Sequence, residues 1–207
     1  MNIALVNELA ILSRSLDIDF WNVVEAAKSK PFGFMPFYPG PGVGGHCLPV
    51  DPSYLSWQFE RQIGSVSRFV KIANDVNQGM PSYVAGRVQS GLNERRKPVN
   101  GSRILILGVA YKKNSNDARE TPATELIRSL QSMGADVHVY DAHVERYELD
   151  DTLTRLTSLD QAALAAADAV VLVTDHDDVD YQWVADSAAY VFDTRRRVPD
   201  GESVERL

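Results

Sequence analysis

The sequence predicts an α/β fold in two parts, a helical central segment followed by a parallel-sheet domain. Three observations carry that expectation. Apolar residues recur at helical spacing through most of the first 95 positions. After residues 98–101, short apolar runs alternate with helical stretches, the rhythm of a parallel sheet covered on both faces. Between the early helices, residues 31–52 are too rich in glycine, proline and aromatic residues for a regular element. The expected domains are therefore 1–97 and 98–207.

The first helix is expected over 3–16, where Ile3, Leu5, Val6, Leu9, Leu12 and Leu16 share a stripe. Asp17 and Asp19 end it, and a second helix covers about 20–29. Asp51-Pro52 reads as the next helix start, because proline at an early helical position gives up no hydrogen bond. A long helical pattern then runs from about 61 to 95, with Pro81 marking a kink or the meeting of two helices. Its stripe fits a spine, a dimer contact or ordinary core packing. In the second part, strands are expected at 103–109, 137–140, 169–173 and 190–192. Helices are expected at 121–133, 158–167 and 181–187, and the residues around Arg206 read as a frayed tail.

Length allows one or two domains with real cores. The single cysteine, Cys47, excludes an intrachain disulfide, so nothing requires an oxidising compartment. Neither a 20-residue apolar run nor a basic leader is apparent, and a cytoplasmic protein is expected. Net charge is −7, spread as 3 bases against 6 acids in 1–60, 7 against 2 in 61–100, and 11 against 20 in 101–207. That acidic balance disfavours nucleic acid as a partner. Arg95-Arg96-Lys97 reads as a solvated helix end.

The stretch 39–51 holds Cys47 among four glycines and three prolines, with Asp51 four residues on. Such a loop can fix one approachable thiol beside a ligand, or bury a small cysteine beside a rigid turn. In parallel sheets, ligands bind beyond the carboxyl ends of strands. Those ends are polar here: Lys112, Lys113, Asn114, Asp117 and Arg119, then Asp141 and His143, then Thr174, Asp175 and His176, then Asp193, Arg195, Arg196 and Arg197. The turn at Gly108 sits where a dinucleotide fingerprint belongs and lacks its later glycines, so the domain has Rossmann-like rhythm without that fingerprint. Asp141 reads as a ribose-binding acid or a loop cap. The acidic run from Asp175 to Asp180 reads as a cation site or a solvated loop. No metal is expected, because the four histidines and one cysteine lack ligand spacing.

The run Phe34-Met35-Pro36-Phe37-Tyr38-Pro39-Gly40-Pro41-Gly42-Val43-Gly44-Gly45-His46-Cys47-Leu48-Pro49-Val50-Asp51-Pro52 resembles the UDP-glucose/GDP-mannose dehydrogenase family. Within it, the chain looks most like the UDP-N-acetylglucosamine and UDP-N-acetylmannosamine 6-dehydrogenases. The resemblance continues through Ala110-Tyr111-Lys112-Lys113-Asn114, Asp117, Arg119-Glu120-Thr121-Pro122-Ala123 and Phe192-Asp193-Thr194-Arg195. It implies oxidation of a sugar C6 alcohol to a carboxylate in two hydride transfers to NAD, through a thiohemiacetal and thioester on Cys47. It implies Asp51 ordering water, Gly44 and Gly45 admitting the sugar, Tyr111, Lys112 and Arg195 contacting substrate, and Arg119 near NAD phosphate. It also implies a homodimer through the central helices. Family members place an NAD-binding domain and a catalytic lysine and asparagine ahead of the region matched by Asn2-Ile3-Ala4, so this chain is expected to be a fragment, inactive alone. Some relatives carry a neighbouring subunit's arginine ahead of the cysteine loop. The Lys30-Pro31-Phe32-Gly33-Phe34 stretch gives no counterpart, which leaves UDP-glucose open as the sugar.

Overall fold

The protein is described here by a computed structural model covering residues 1–207 except Asp151 and Arg155, with the backbone alone for 152–154. It divides into two compact units, Met1–Met80 and Pro81–Leu207. The expected boundary at 97/98 lies further on, because the second half of the long helix packs into the α/β core.

The first unit holds helices α1 (Asn2–Arg14), α2 (Phe20–Lys28), α3 (Cys47–Ile63) and the start of α4 (Arg68–Glu94). Asp19 caps α2 by accepting from the Asn22 N–H at 3.2 Å. On α1 the buried face is two alanines and an amide, Ala4, Asn7 and Ala10, while Leu5, Leu9 and Leu12, and Leu16 beyond the helix, are exposed. The leucines that mark the helical spacing are therefore not its buried side. α3 starts at Cys47 rather than Asp51. Pro49 falls among the first helical positions, whose N–H groups have no intrahelical partner anyway, and Pro52 sits inside the helix. The expected 61–95 helix is interrupted by Gly64, left-handed at φ 67, which closes α3 before α4 begins; Pro81 lies within α4 without ending it.

The second unit is built on a five-stranded parallel sheet. It contains β1 (Arg103–Leu107), β2 (Asp136–Tyr140), β5 (Ala169–Leu172), β6 (Val191–Asp193) and β7 (Val204–Arg206), in the order β2-β1-β5-β6-β7. A short hairpin, β3 (Tyr147–Leu149) and β4 (Thr152–Thr154), stands apart. Helices α5 (Pro122–Ser132), α6 (Gln161–Ala166) and α7 (Tyr181–Ser187) are capped by Thr121, Asp160 and Asp180. Alternate β1 residues face opposite sides. Ile104 and Ile106 pack with Val88 and Leu92 of α4 and with Leu126 of α5, whereas Leu105 and Leu107 pack with Leu164 and Val184 of α6 and α7. So Val84, Val88 and Leu92, expected to belong to a helical domain, belong to this core.

Two expectations at the ends of elements change. Arg206 is not in a frayed tail: it lies in β7, and its Nη2 donates to the Val198 carbonyl at 2.7 Å. Nor do Arg95 and Lys97 form a merely solvated helix end. Arg95 sits 4.0 Å from the Tyr190 ring centroid, and Lys97 pairs with Asp168. Among the described residues no helix is long and apolar enough to cross a membrane.

Candidate active-site elements

In the first unit, the proline–glycine segment is anchored before it reaches the thiol. Tyr38 stacks on Trp21 of α2 at 5.2 Å, and its hydroxyl donates to Glu25 at 2.7 Å. Pro39, Gly40 and Pro41 are buried, and the Gly40 N–H donates to Asn7 Oδ1 of α1 at 2.9 Å. Gly42 and Gly45 then take φ values of 136° and 78°, which side-chain-bearing residues rarely adopt. Gly44 and Gly45 are half-buried, and Cys47 opens α3 exposed. The alternative of a core-buried cysteine is set aside. Asp51, also exposed, lies one helical turn on, at the i+4 spacing that places two side chains on one face. Gly40, Gly42 and Gly45 match the G-x-G-x-x-G spacing, but they connect two helices in a unit whose described residues contain no strand. The dinucleotide role of that spacing needs a preceding strand.

In the second unit, the chain leaves β1 for β2 on one side and returns to β5 on the other. The crevice of a parallel sheet therefore opens at the carboxyl ends of β1 and β5. Gly108, at φ 85, lies against the end of β5: a Cβ there would sit 2.4 Å from the Thr174 carbonyl oxygen. That glycine serves close contact with Thr174, and the positions of the fingerprint's later glycines hold Ala110 and Lys113, so this turn does not fit the pyrophosphate of NAD. The 110–114 stretch is fixed at both ends. Asp141 accepts from the Val109 and Ala110 N–H groups at 2.7 and 3.0 Å, and His176 Nδ1 accepts from the Asn114 N–H at 3.0 Å. A backbone N–H can only donate, so the His176 proton sits on Nε2, which reaches Asp141 Oδ2 at 3.0 Å. Asp141 also accepts from the His143 and Val144 N–H groups. Burial by itself would raise its pKa. The bonds from His176 and from the His143, Ala110 and Val109 N–H groups outweigh that and hold the carboxyl well below the usual range.

Asp141 is thus a loop organiser rather than a free ribose acceptor. The 175–180 run is not a simple solvated loop either, and the described residues contain no group that could hold a metal ion. His176 is buried, Asp180 caps α7, and Asp177 bonds Asn114 Nδ2 at 2.7 Å.

Of the residues singled out, Tyr111 and Lys112 come together, with the Lys112 ammonium 5.2 Å from the Tyr111 ring centroid and its side chain exposed. Arg195 is partly buried after β6. Its Nε donates to the Val173 carbonyl at 2.7 Å, and its backbone N–H to Asp193 Oδ1 at 2.7 Å. Burial lowers its pKa, opposed by Asp175 and Asp193, yet a guanidinium stays protonated. Arg119 is exposed, and Asp117 accepts from both its Nε and its Nη2. Sequence reasoning missed Asn7, Asn74 and Asn77. An asparagine inside an apolar helical stretch was the available signal for Asn7.

Two family signatures divide the chain as the structure does. The central-domain signature of the UDP-glucose/GDP-mannose dehydrogenase family matches residues 1–79, and its UDP-binding-domain signature matches 105–200. The chain belongs to this family. It is 33% identical to the UDP-N-acetyl-D-mannosamine dehydrogenase of Methanococcus maripaludis over 86% of its own length and 38% of the relative's. It is 35% identical to the UDP-N-acetyl-D-glucosamine 6-dehydrogenase of Pseudomonas aeruginosa over 85% and 41%. A solved UDP-D-ManNAc dehydrogenase from Pyrococcus horikoshii superposes with a TM-score of 0.82 at 28% identity, covering all of this chain and 48% of that one. The chain therefore spans about two fifths of these curated relatives and about half of the solved chain.

Proposed function

We propose that this chain supplies the thiol and the UDP-binding domain of an NAD-dependent nucleotide-sugar 6-dehydrogenase, acting on a UDP-N-acetylhexosamine. The observation that most supports the role is an exposed Cys47 at the end of an anchored glycine–proline segment, in a chain whose family signatures cover both a central and a UDP-binding domain. The printed names of the relatives support the N-acetylhexosamine.

In this account the Cys47 thiolate adds to the carbon of a C6 aldehyde, forming a C–S bond while the carbonyl electron pair moves to oxygen, which takes a proton. Once that carbon has been oxidised to a thioester, water adds, the C–S bond breaks and the thiolate leaves a carboxylate. Asp51 holds that water and accepts its proton. Gly44 and Gly45 admit the sugar close to the backbone. Lys112 and Arg195 meet the diphosphate, and Tyr111 packs beside it. A nicotinamide would accept the hydrides; the Gly108 turn does not fit it, and no hydride step is assigned to these residues. Arg119 is a candidate contact for its phosphate alone. The 207 residues by themselves should therefore form no NADH.

Self-association is part of the same proposal. Leu12, Leu48, Leu55, Trp57, Phe69 and Ile72 of the first unit are all more than half exposed, large apolar side chains that a second copy would cover. A homodimer is expected in sedimentation, and a monomer at high concentration would contradict it. The binding role is tested by calorimetric titration with UDP, UDP-N-acetylglucosamine and UDP-glucose. Heat with UDP that weakens in an Arg195→Ala variant supports it, and no heat with any of the three overturns it.

A further inference from the structure

The first unit contains one side chain whose chemistry does not suit its place. Asn7 is fully buried on α1 between Ala4 and Ala10. A buried amide is costly unless its groups are hydrogen-bonded, and both ends of Asn7 are used. Its Oδ1 accepts from the Gly40 N–H at 2.9 Å, and its Nδ2 donates to Asn77 Oδ1 of α4 at 3.0 Å. The Gly40 N–H can only donate, so it fixes the orientation of the Asn7 amide and, through it, that of Asn77.

One turn earlier on α4, Asn74 Nδ2 donates to Ser53 Oγ at 2.8 Å, and Ser53 Oγ donates to the Pro49 carbonyl at 2.9 Å. Pro49 lies two residues after Cys47 on α3. Asn74 and Asn77, at i and i+3, lie on neighbouring turns of one α4 face. From that face one chain of bonds reaches Gly40, before the thiol, and another reaches Pro49, after it.

We infer that Asn7, Asn74 and Asn77 are positioning residues for Cys47, bracing both flanks of the 41–48 span so that the thiol is held in one place. The inference rests on the reading of Cys47 as the nucleophile. Its geometry is independent of that reading. Two glycines with positive φ lie inside the span, so the segment has little stiffness of its own between the two anchors. Fixing a nucleophile is worth rate in its own right, since small misplacements of a reacting atom are costly.

The test uses the full 207-residue chain and needs no enzymatic activity, so a failure of the dehydrogenase reading leaves it intact. Cys47 is alkylated with bromotrifluoroacetone, and its fluorine resonance is recorded beside the exchange rate of the Gly40 amide. The unmodified sequence should give one narrow line and a slow Gly40 amide. Asn77→Ala and Asn74→Ala should each broaden or split the line, and Asn77→Ala should speed Gly40 exchange at least tenfold. Asn77→Asp, which keeps an acceptor for Asn7 Nδ2, should restore the narrow line. Ala10→Gly, a buried α1 change away from the bonds, should lower the melting temperature without broadening the line. Asn7→Ala should reproduce Asn77→Ala where it folds; where it does not, Asn77→Ala against Asn77→Asp decides. A narrow line in both alanine variants, or equal broadening by Ala10→Gly, would overturn the inference. A fast Gly40 amide in the unmodified chain would do the same.

Discussion

Replacing Asp141 by asparagine is the sharpest perturbation of the second unit. The Asp141 carboxylate is nearly inaccessible and takes five donors: the N–H groups of Val109, Ala110, His143 and Val144, and His176 Nε2. An amide keeps one oxygen. Whichever way it turns, its NH2 faces at least two of those donors, and each buried donor left unpaired costs about 1–3 kcal/mol. We expect a loss of about 3 kcal/mol at pH 7, from two unpaired donors at about 1.5 kcal/mol each. The pH dependence follows from the depressed folded-state pKa. Stability from the ionised carboxylate is present above the unfolded value near 3.8 and is lost as pH falls from there toward the folded one. The variant lacks that group, so the difference between the two proteins should shrink between pH 5 and about pH 3. Urea unfolding at pH 7, 5, 4 and 3 measures it. A loss below about 1 kcal/mol at pH 7, or the same loss at every pH, would refute the account of Asp141 as the ionised organiser of the 109–114 turn.

Three further outcomes follow from the same structure. Gly108→Ala places a Cβ 2.4 Å from the Thr174 carbonyl oxygen at φ 85, and should cost at least about 2 kcal/mol in denaturant unfolding, since left-handed backbone alone costs roughly 1–2. Arg87→Ala leaves Glu205, whose carboxylate takes Arg87 Nη2 at 2.6 Å with both side chains mostly buried, without that guanidinium. Thermal unfolding should show a loss of about 3 kcal/mol, the low end for breaking a buried pair. Spectrophotometry of the 207-residue chain with NAD and UDP-N-acetylglucosamine should show no NADH, and steady NADH formation would overturn the assignment of hydride acceptance away from these residues.

The sheet was legible because buried parallel strands are short apolar runs. Residues 103–107 and 169–172 carry almost no polar side chain apart from Arg103. The last strand, Val204–Arg206, was not, because alternating charges in a three-residue edge look like a tail until Arg87 and Tyr190 are seen to bond Glu205. Periodicity found α1 but not its buried side, which is made of alanines and an asparagine rather than leucines. Periodicity finds a face and cannot say whether the chain itself covers it. At the candidate site, the Cys47 loop was legible from glycine and proline density, since few other sequences tolerate its positive φ values. Asn7, Asn74 and Asn77 were not, because an amide inside a hydrogen-bond network is recognised by its partners, here 21, 33 and 70 residues away, rather than by its neighbours. The motif around Gly40 shows the opposite hazard, a fingerprint spacing with no strand beneath it.

The most direct measurement of the central claim is carbon-13 spectroscopy of the C6 aldehyde of UDP-N-acetylglucosamine, labelled at C6 and mixed with the 207-residue chain. Addition of the Cys47 thiolate converts the C6 centre from a hydrated aldehyde to a carbon bearing sulfur. The account predicts a new C6 resonance that titrates with protein, is displaced by excess UDP, and vanishes in Cys47→Ala while UDP still binds. An unchanged C6 spectrum at saturating protein, or a new resonance that persists in Cys47→Ala, would contradict it.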